Sequence, residues 1–305
     1  MALQIDGIVP IVITPFDGDL RLDEASLQRH VEFCVACGAR GLVGPANASE
    51  FSTLSDDERR RWLQIVVAAS AGVPVVASVT SGHLRPAVDL ARFAIDMGVS
   101  AIMSMPPPLL KPSVEGCVAF FSDLAEAIRP VPLIVQNYAP PLGTPLSSAA
   151  LASLCQQVDN IAFIKEELPP ETRMITSTLA AAGDACQGIF GGQGGIYLVD
   201  EFRRGAIGNM PGGHVTDVLV DVWAHLVAGQ ESEARHLHHR MQPLMTLERL
   251  YGVTVYKHVL QRRGVFATTA RRAPGGDLDL FDLHELDAAL SLIQSACRIP
   301  WEVSS

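Results

Sequence analysis

Lysine is almost missing from this chain. Of its 23 lysine and arginine residues only Lys111, Lys165 and Lys257 are lysines, so each ammonium group stands out against a background that uses arginine. Positive charge is not in excess either. The net charge is −10, which argues against a nucleic-acid or anionic-membrane partner, since both want a basic patch. No apolar run is long enough to span a bilayer. The opening "MALQIDGIVPIVITPF" has no basic segment before its apolar part and no small-residue cleavage site, and so reads as a first strand, not a signal peptide. A soluble, cytoplasmic protein is expected. No dinucleotide fingerprint follows that strand. The later "GIFGGQGG" comes closest, but Gly192-Gln193-Gly194 lacks a third glycine at the required spacing. The six cysteines include no second pair to match Cys34-x-x-Cys37, whose helical spacing with Leu27, Val31 and Val35 makes them core residues in preference to a zinc or redox site. The run from His236 to His239 lies in a polar helix and is not read as a metal site.

What is present is a large apolar fraction in short pieces. Hydrophobic residues make up 48% of the 305 and charged residues 18%, enough for a substantial core. Short apolar runs ("GIVPIVITPF", "GLVGPA", "VPVVASVT", "SAIMSMPPP", "VPLIVQNY", "NIAFIKEE", "CQGIFGG", "GAIGNMPGG") alternate with amphipathic helical segments. Ser55 with Glu58 forms a capping box at one helix start, and Gly38, Gly72 and Gly98 mark helix stops. About eight β-then-α units in series predict an α/β fold, a (β/α)8 TIM barrel closing near residue 229. A doubly wound sheet is the competing layout. Residues 1–229 are thus expected to form the barrel and residues 230–305 a C-terminal helical appendage, with "RRAPGGDLDL" a loop inside it. The appendage has two expected uses, covering a face or making subunit contacts.

The stretch "IAFIKEELPP" ends an apolar run in Lys165. Lys111 sits in a proline-flanked loop and is expected to face water, and Lys257 lies in a helix. Lys165 alone ends a strand, at the end where barrel active sites form. Alternate strand residues share a face, so Phe163, Lys165 and Glu167 point one way and Ile164 and Glu166 the other. A lysine in a dry pocket loses part of its preference for charge, and the neutral amine can attack a ketone to form a Schiff base. A buried Lys–Glu pair without chemistry is the other reading of the same pattern.

Taken together, "GIVPIVITPF", "SEFSTLSDDER", "MSMPPP" and the strand-six lysine resemble the dihydrodipicolinate synthase / N-acetylneuraminate lyase family of Schiff-base barrel enzymes, over essentially the whole chain. The resemblance implies an imine between Lys165 and a 2-keto acid, no other cofactor, no metal, and a homo-oligomer, most often a tetramer. Two motifs depart from the family pattern. After strand two, where most members carry Gly-Thr-Thr/Ser-Gly-Glu, this chain has Ala46, Asn47, Ala48, Ser49 and Glu50. Asn47, Ser49 and nearby backbone N–H groups are then the expected carboxylate binders. At the end of strand five Gln136 falls where the family places a proton-carrying tyrosine, followed by Asn137, with Tyr138 two residues on. An amide neither gains nor loses a proton at neutral pH.

These departures resemble one branch, the L-2-keto-3-deoxyarabonate dehydratases, in "ANASE", in "VQNYAPPLGT" and in "IGNMPGGH", which brings Asn209 and Met210 to the substrate. The expected reaction is dehydration of a 2-keto-3-deoxy sugar acid to 2-oxoglutarate semialdehyde. Lys165 forms the imine, Glu167 is the acid–base group, Gln136 orients the substrate, and Glu50 is either a second proton carrier or a holder of its loop. A pyruvate aldolase or condensing enzyme and a non-catalytic keto-acid-binding barrel are the alternatives.

Overall fold

A computed structural model describes residues 5–109, 111–138 and 142–299. The rest of the opening run (residues 1–4) and residues 139–141 of the strand-five motif lie outside the described residues. The elements are β1 (Gly7–Ile8), α1 (Glu24–Ala36), β2 (Leu42–Gly44), α2 (Asp56–Ala69), β3 (Val75–Ser78), α3 (Leu84–Asp96), β4 (Ala101–Ser104) and α4 (Val114–Ala127). They continue as β5 (Leu133–Tyr138), α5 (Ser148–Gln157), β6 (Phe163–Glu167), α6 (Glu171–Ala182), β7 (Gly188–Gly191), α7 (Leu198–Arg203) and β8 (Gly208–Asn209). Last come α8 (Thr216–Val227), α9 (Glu231–Tyr251), α10 (Val253–Arg262) and α11 (Leu280–Ile293). The expected alternation is therefore present.

Two compact units emerge from the contacts, one of Met1–Asp6 with Pro74–Met210, the other of Gly7–Val73 with Pro211–Ser305. In the first, strands β3 to β8 are parallel and hydrogen-bonded in sequence order. Their near-continuous apolar composition suits a parallel sheet buried on both faces. Ile102, Leu133, Ile134, Val135, Ile164, Ile189 and Phe190 are all fully buried. Helix α3 buries Ala87, Leu90, Ala91 and Ala94, the i, i+3, i+4, i+7 stripe of a helix with one apolar face.

In the second unit the long opening run yields only a two-residue strand. Pro10 has no N–H to give to a ladder, and beyond it Ile11 makes isolated parallel bridges to Val43 and Gly212. Helix α2 starts as expected: Glu58 N donates to Ser55 Oγ at 3.2 Å and Ser55 N to Glu58 Oε2 at 2.9 Å. Helix α9 packs against α8, α10 and α11. Cys34 and Cys37 are buried, and burial raises both thiols, Cys37 to about 12, which leaves them un-ionised core residues. No helix among the described residues is long and apolar enough to cross a membrane.

Candidate active site

Lys165 is placed by β6 in register with Gln136 of β5 and Phe190 of β7. Its side chain is only 1% exposed. An amine this dry needs a partner, and Glu167, two residues on along the same face, supplies one: Lys165 Nζ lies 3.2 Å from Glu167 Oε2. The same oxygen accepts a hydrogen bond from Gln136 Nε2 at 2.6 Å. Lys165 and Glu167, paired by strand periodicity, and Gln136, marked by its place in the family motif, thus meet at one carboxylate oxygen.

The other carboxylate oxygen is held by the turn after β7. Gln193 N donates to Glu167 Oε1 at 3.2 Å, and Gln193 Nε2 donates to the Glu167 carbonyl at 3.1 Å. To do this Gln193 takes a φ of +51°, uncommon for a residue with a side chain. Gly192 is required for the approach, because a Cβ there would collide with the Glu167 side chain. Gly191 is required in the same way by Glu201. The glycine run "GIFGGQGG" therefore makes room for two carboxyl groups. Its resemblance to a nucleotide loop concealed that role, and only the pairing of β6 with β7 exposes it.

The opposite face of the same strands carries a second layer. Asn137 Nδ2 donates to both oxygens of Glu166, at 3.1 and 3.0 Å, and to Leu146 O at 3.0 Å, while its Oδ1 accepts from Leu146 N at 2.9 Å. Asn209 Nδ2 donates to Glu201 Oε2 at 2.7 Å and to Gly192 O at 3.3 Å. Burial pushes both carboxyls up to about 8, against the lowering effect of these hydrogen bonds. Asn137 and Asn209, expected at the substrate, are thus engaged with Glu166 and Glu201 away from Lys165. Alternation places their neighbours differently. Met210 follows Asn209, is buried, and donates its N–H to Gly191 O at 3.0 Å.

Asn47, Ala48, Ser49 and Glu50 belong to the second unit. Asn47–Ser49 form a 3-10 turn, and Glu50 closes it with a left-handed φ of 56°. Ser49 Oγ donates to Val12 O at 2.6 Å and accepts from Ala46 N at 3.1 Å, so its hydroxyl braces the turn. Thr14 Oγ1 donates to Ser49 O at 2.7 Å. Glu50 Oε2 accepts the N–H groups of Arg272 at 2.9 Å and Ala273 at 2.6 Å, and Oε1 lies 2.5 Å from Lys257 Nζ. Of the two readings of Glu50, this is the geometry of the loop holder.

Lys257 is the residue that sequence reasoning passed over. Its side chain is fully buried, and the ammonium donates to Ala270 O at 2.7 Å and sits 4.3 Å from the centre of the Phe16 ring. Burial lowers its pKa to about 8, with the Glu50 carboxylate opposing that shift. Lys111 is exposed, as expected.

The sequence model of the Dihydrodipicolinate synthetase family matches residues 4–293. The chain is 31% identical over 279 residues to an L-2-keto-3-deoxyarabonate dehydratase of Azospirillum brasilense, 89% of each chain. It is 32% identical over 254 residues to a 4-hydroxy-tetrahydrodipicolinate synthase of Methanopyrus kandleri, 80% of this chain and 81% of that one. The crystal structure of dihydrodipicolinate synthase from Rhodopseudomonas palustris matches with a TM-score of 0.89 at 28% identity, over 96% of this chain and 99% of that one. With this likeness the alternating strands and helices are those of a (β/α)8 barrel followed by a C-terminal helical part.

Proposed function

The chain belongs to the dihydrodipicolinate synthetase family, and from that premise we propose that it is a Schiff-base hydro-lyase converting 2-keto-3-deoxy-L-arabonate to 2-oxoglutarate semialdehyde. The observation that carries the reading is the Gln136 amide bonded to Glu167 beside Lys165. The group at the strand-five position cannot carry a proton, and the adjacent carboxylate can.

The steps follow from that arrangement. Lys165 gives up a proton to Glu167 and its amine attacks the C2 ketone, and water leaves to form the imine. The protonated imine draws electrons from C3, and Glu167 removes a C3 proton to give the enamine. The enamine expels the C4 hydroxyl as water, with the proton returned by Glu167. Loss of a C5 proton and reprotonation at C3 leave an enol at C5, which becomes the aldehyde, and hydrolysis frees Lys165. One water is lost overall. Retro-aldol cleavage would instead begin with deprotonation of the C4 hydroxyl, the task of the tyrosine that Gln136 replaces. The substrate carboxylate is assigned to Asn47, Ser49 and the backbone N–H groups of the turn through Ala48, with Glu50 the holder of that loop and Met210 an apolar contact. The chemistry asks for no cofactor beyond the imine, and by sequence order residues 1–229 are the proposed barrel and residues 230–305 its proposed helical appendage.

Product identity tests the reading. Incubation with 2-keto-3-deoxy-L-arabonate is expected to release 2-oxoglutarate semialdehyde, identified by mass spectrometry. Pyruvate and glycolaldehyde in its place would make the enzyme an aldolase, the reading to which the similarity to the Methanopyrus kandleri synthase lends support. A cytoplasmic homo-tetramer completes the proposal. Light scattering at micromolar concentration should give about four times the 32.7 kDa chain mass, and a monomer would contradict it.

A further inference from the structure

The end of β7 is gripped from both faces. Gly191 and Gly192 are successive residues, so side chains on them would point to opposite sides. A Cβ on Gly192 would enter the Glu167 side chain, and one on Gly191 would enter that of Glu201 from α7. Strand β8 sets Asn209 in register with Gly191. The two N–H groups of the Asn209 amide are both engaged there, one on Glu201 Oε2 at 2.7 Å and one on Gly192 O at 3.3 Å. Gly192 O belongs to the same peptide unit as the Gln193 N–H, which donates to Glu167 Oε1. A trans peptide is planar, with its C=O and N–H pointing opposite ways. Anchoring the carbonyl on the far face therefore aims the N–H at Glu167. Gln193 holds this place with a φ of +51°, a region where a residue with a side chain persists only if its surroundings over-determine it. Glu201 and Asn209 are both fully buried, and the steps proposed above use neither.

We infer that Glu201 is a positioning residue for proton transfer: through the Asn209 amide and the Gly192–Gln193 peptide it fixes the Glu167 carboxylate beside Lys165. The inference rests on the acid–base role given to Glu167 above. Without an acceptor at position 201 the Asn209 amide turns, the Gly192 carbonyl loses its anchor, and the peptide rotates its N–H off Glu167. Imine formation at Lys165 needs the amine and the ketone, whereas proton removal from C3 needs the carboxylate at the right distance and angle, so the second step carries the cost. Burial, with the charges of Glu171 on α6 and of Glu167, pushes the Glu201 carboxyl up to about 8, against the hydrogen bond from Asn209. At pH 7 it is then mainly neutral, and a glutamine carbonyl in its place accepts from Asn209 equally well. A methionine of the same length does not.

The experiment uses the full-length protein with pyruvate as the probe, near pH 7 in D2O. Enamine formation moves a methyl proton of the pyruvate imine to Glu167, solvent deuterium replaces it there, and return to C3 leaves deuterium in pyruvate. Loss of the methyl signal by proton NMR reports that step without any product, so it stands apart from the choice between dehydration and cleavage. Borohydride trapping after equilibration, mapped to Lys165, reports the imine. In Glu201→Met the trapped fraction is expected to stay within about twofold of wild type while exchange slows about 10- to 100-fold, the effect of a misplaced reacting group. In Glu201→Gln both stay within about threefold. Asn209→Ala removes the link from its other end, should repeat the methionine result, and carries the test if Glu201→Met does not fold. Exchange within about threefold of wild type in Glu201→Met or Asn209→Ala overturns the inference, as does a fall in Glu201→Gln as deep as in Glu201→Met. Parallel loss of imine and exchange overturns it too, since a merely structural residue gives that result. Glu167→Gln is run alongside. Unchanged exchange there, or no adduct at Lys165 in the wild type, removes the acid–base or Schiff-base reading and this inference with it. Slow exchange in Glu167→Gln but not in Glu201→Met overturns this inference alone.

Discussion

Glu167→Gln lowers kcat by about 10²- to 10⁴-fold, the usual contribution of a positioned acid–base group, while KM for the keto acid stays within a few-fold. Glutamine keeps the volume, its Oε1 can still accept from Gln193 N, and its amide N–H in place of Oε2 can donate to a turned Gln136 amide. It cannot take a proton from C3 or return one to the departing hydroxyl. An equal fall in kcat and kcat/KM is the signature of an interaction used only in the transition state. Single-turnover measurements with the 2-keto-3-deoxy acid separate the steps, since the imine should still accumulate and be trapped at Lys165. Unchanged turnover would remove Glu167 as the proton carrier. A large rise in KM with kcat intact would make it a binding group.

Much of this site is legible from period-two alternation alone. Phe163, Lys165 and Glu167 share a face, as do Gln136 and Tyr138, and no tertiary information is needed to see that. Element order was equally legible, because each apolar run is followed by a helix with its own start and stop signals. Two features were hidden. Gly192 and Gln193 are 25 or more residues from Glu167 in sequence, and only the β6–β7 pairing reveals that a side chain at Gly192 would fill the space Glu167 occupies. In β5 and β8 the alternation was readable, but Asn137 and Asn209 were expected at the substrate because the residues beside them resemble family motifs. Their amides instead satisfy Glu166 and Glu201 on the far face, where a buried carboxyl without such donors would be costly.

Lys257 was hidden for a different reason. Nothing in "GVTVYKHVLQRRG" distinguishes a lysine that reaches solvent from one that is sealed, because its partner Glu50 is 207 residues earlier in the chain. The second large prediction comes from that pair. Glu50→Gln is expected to destabilise the protein by about 3–5 kcal/mol near neutral pH, the cost of removing one member of a buried ion pair and stranding the other. Without the carboxylate, Lys257 keeps the Ala270 carbonyl and the Phe16 ring as favourable contacts, against burial and the nearby charges of Arg271 and Arg272, all of which disfavour the ammonium. The pH dependence has a definite sign. Burial holds the folded-state pKa of Lys257 at about 8, below the value of 10.5 for an unperturbed lysine. Between those values the unfolded chain binds a proton that the folded one does not, so this group's contribution to stability rises with pH across the window. Above about pH 8 the wild-type amine has itself become neutral and gains less from Glu50. The gap between wild type and Glu50→Gln should therefore be widest at pH 6–7 and shrink toward pH 10, as read from urea midpoints at each pH. Lys257→Met in the Glu50→Gln background then restores much of the loss, since an apolar side chain in the same volume carries no stranded charge. A Glu50→Gln protein as stable as wild type at pH 7, or a gap that widens with pH, would show that the pair contributes nothing of this kind.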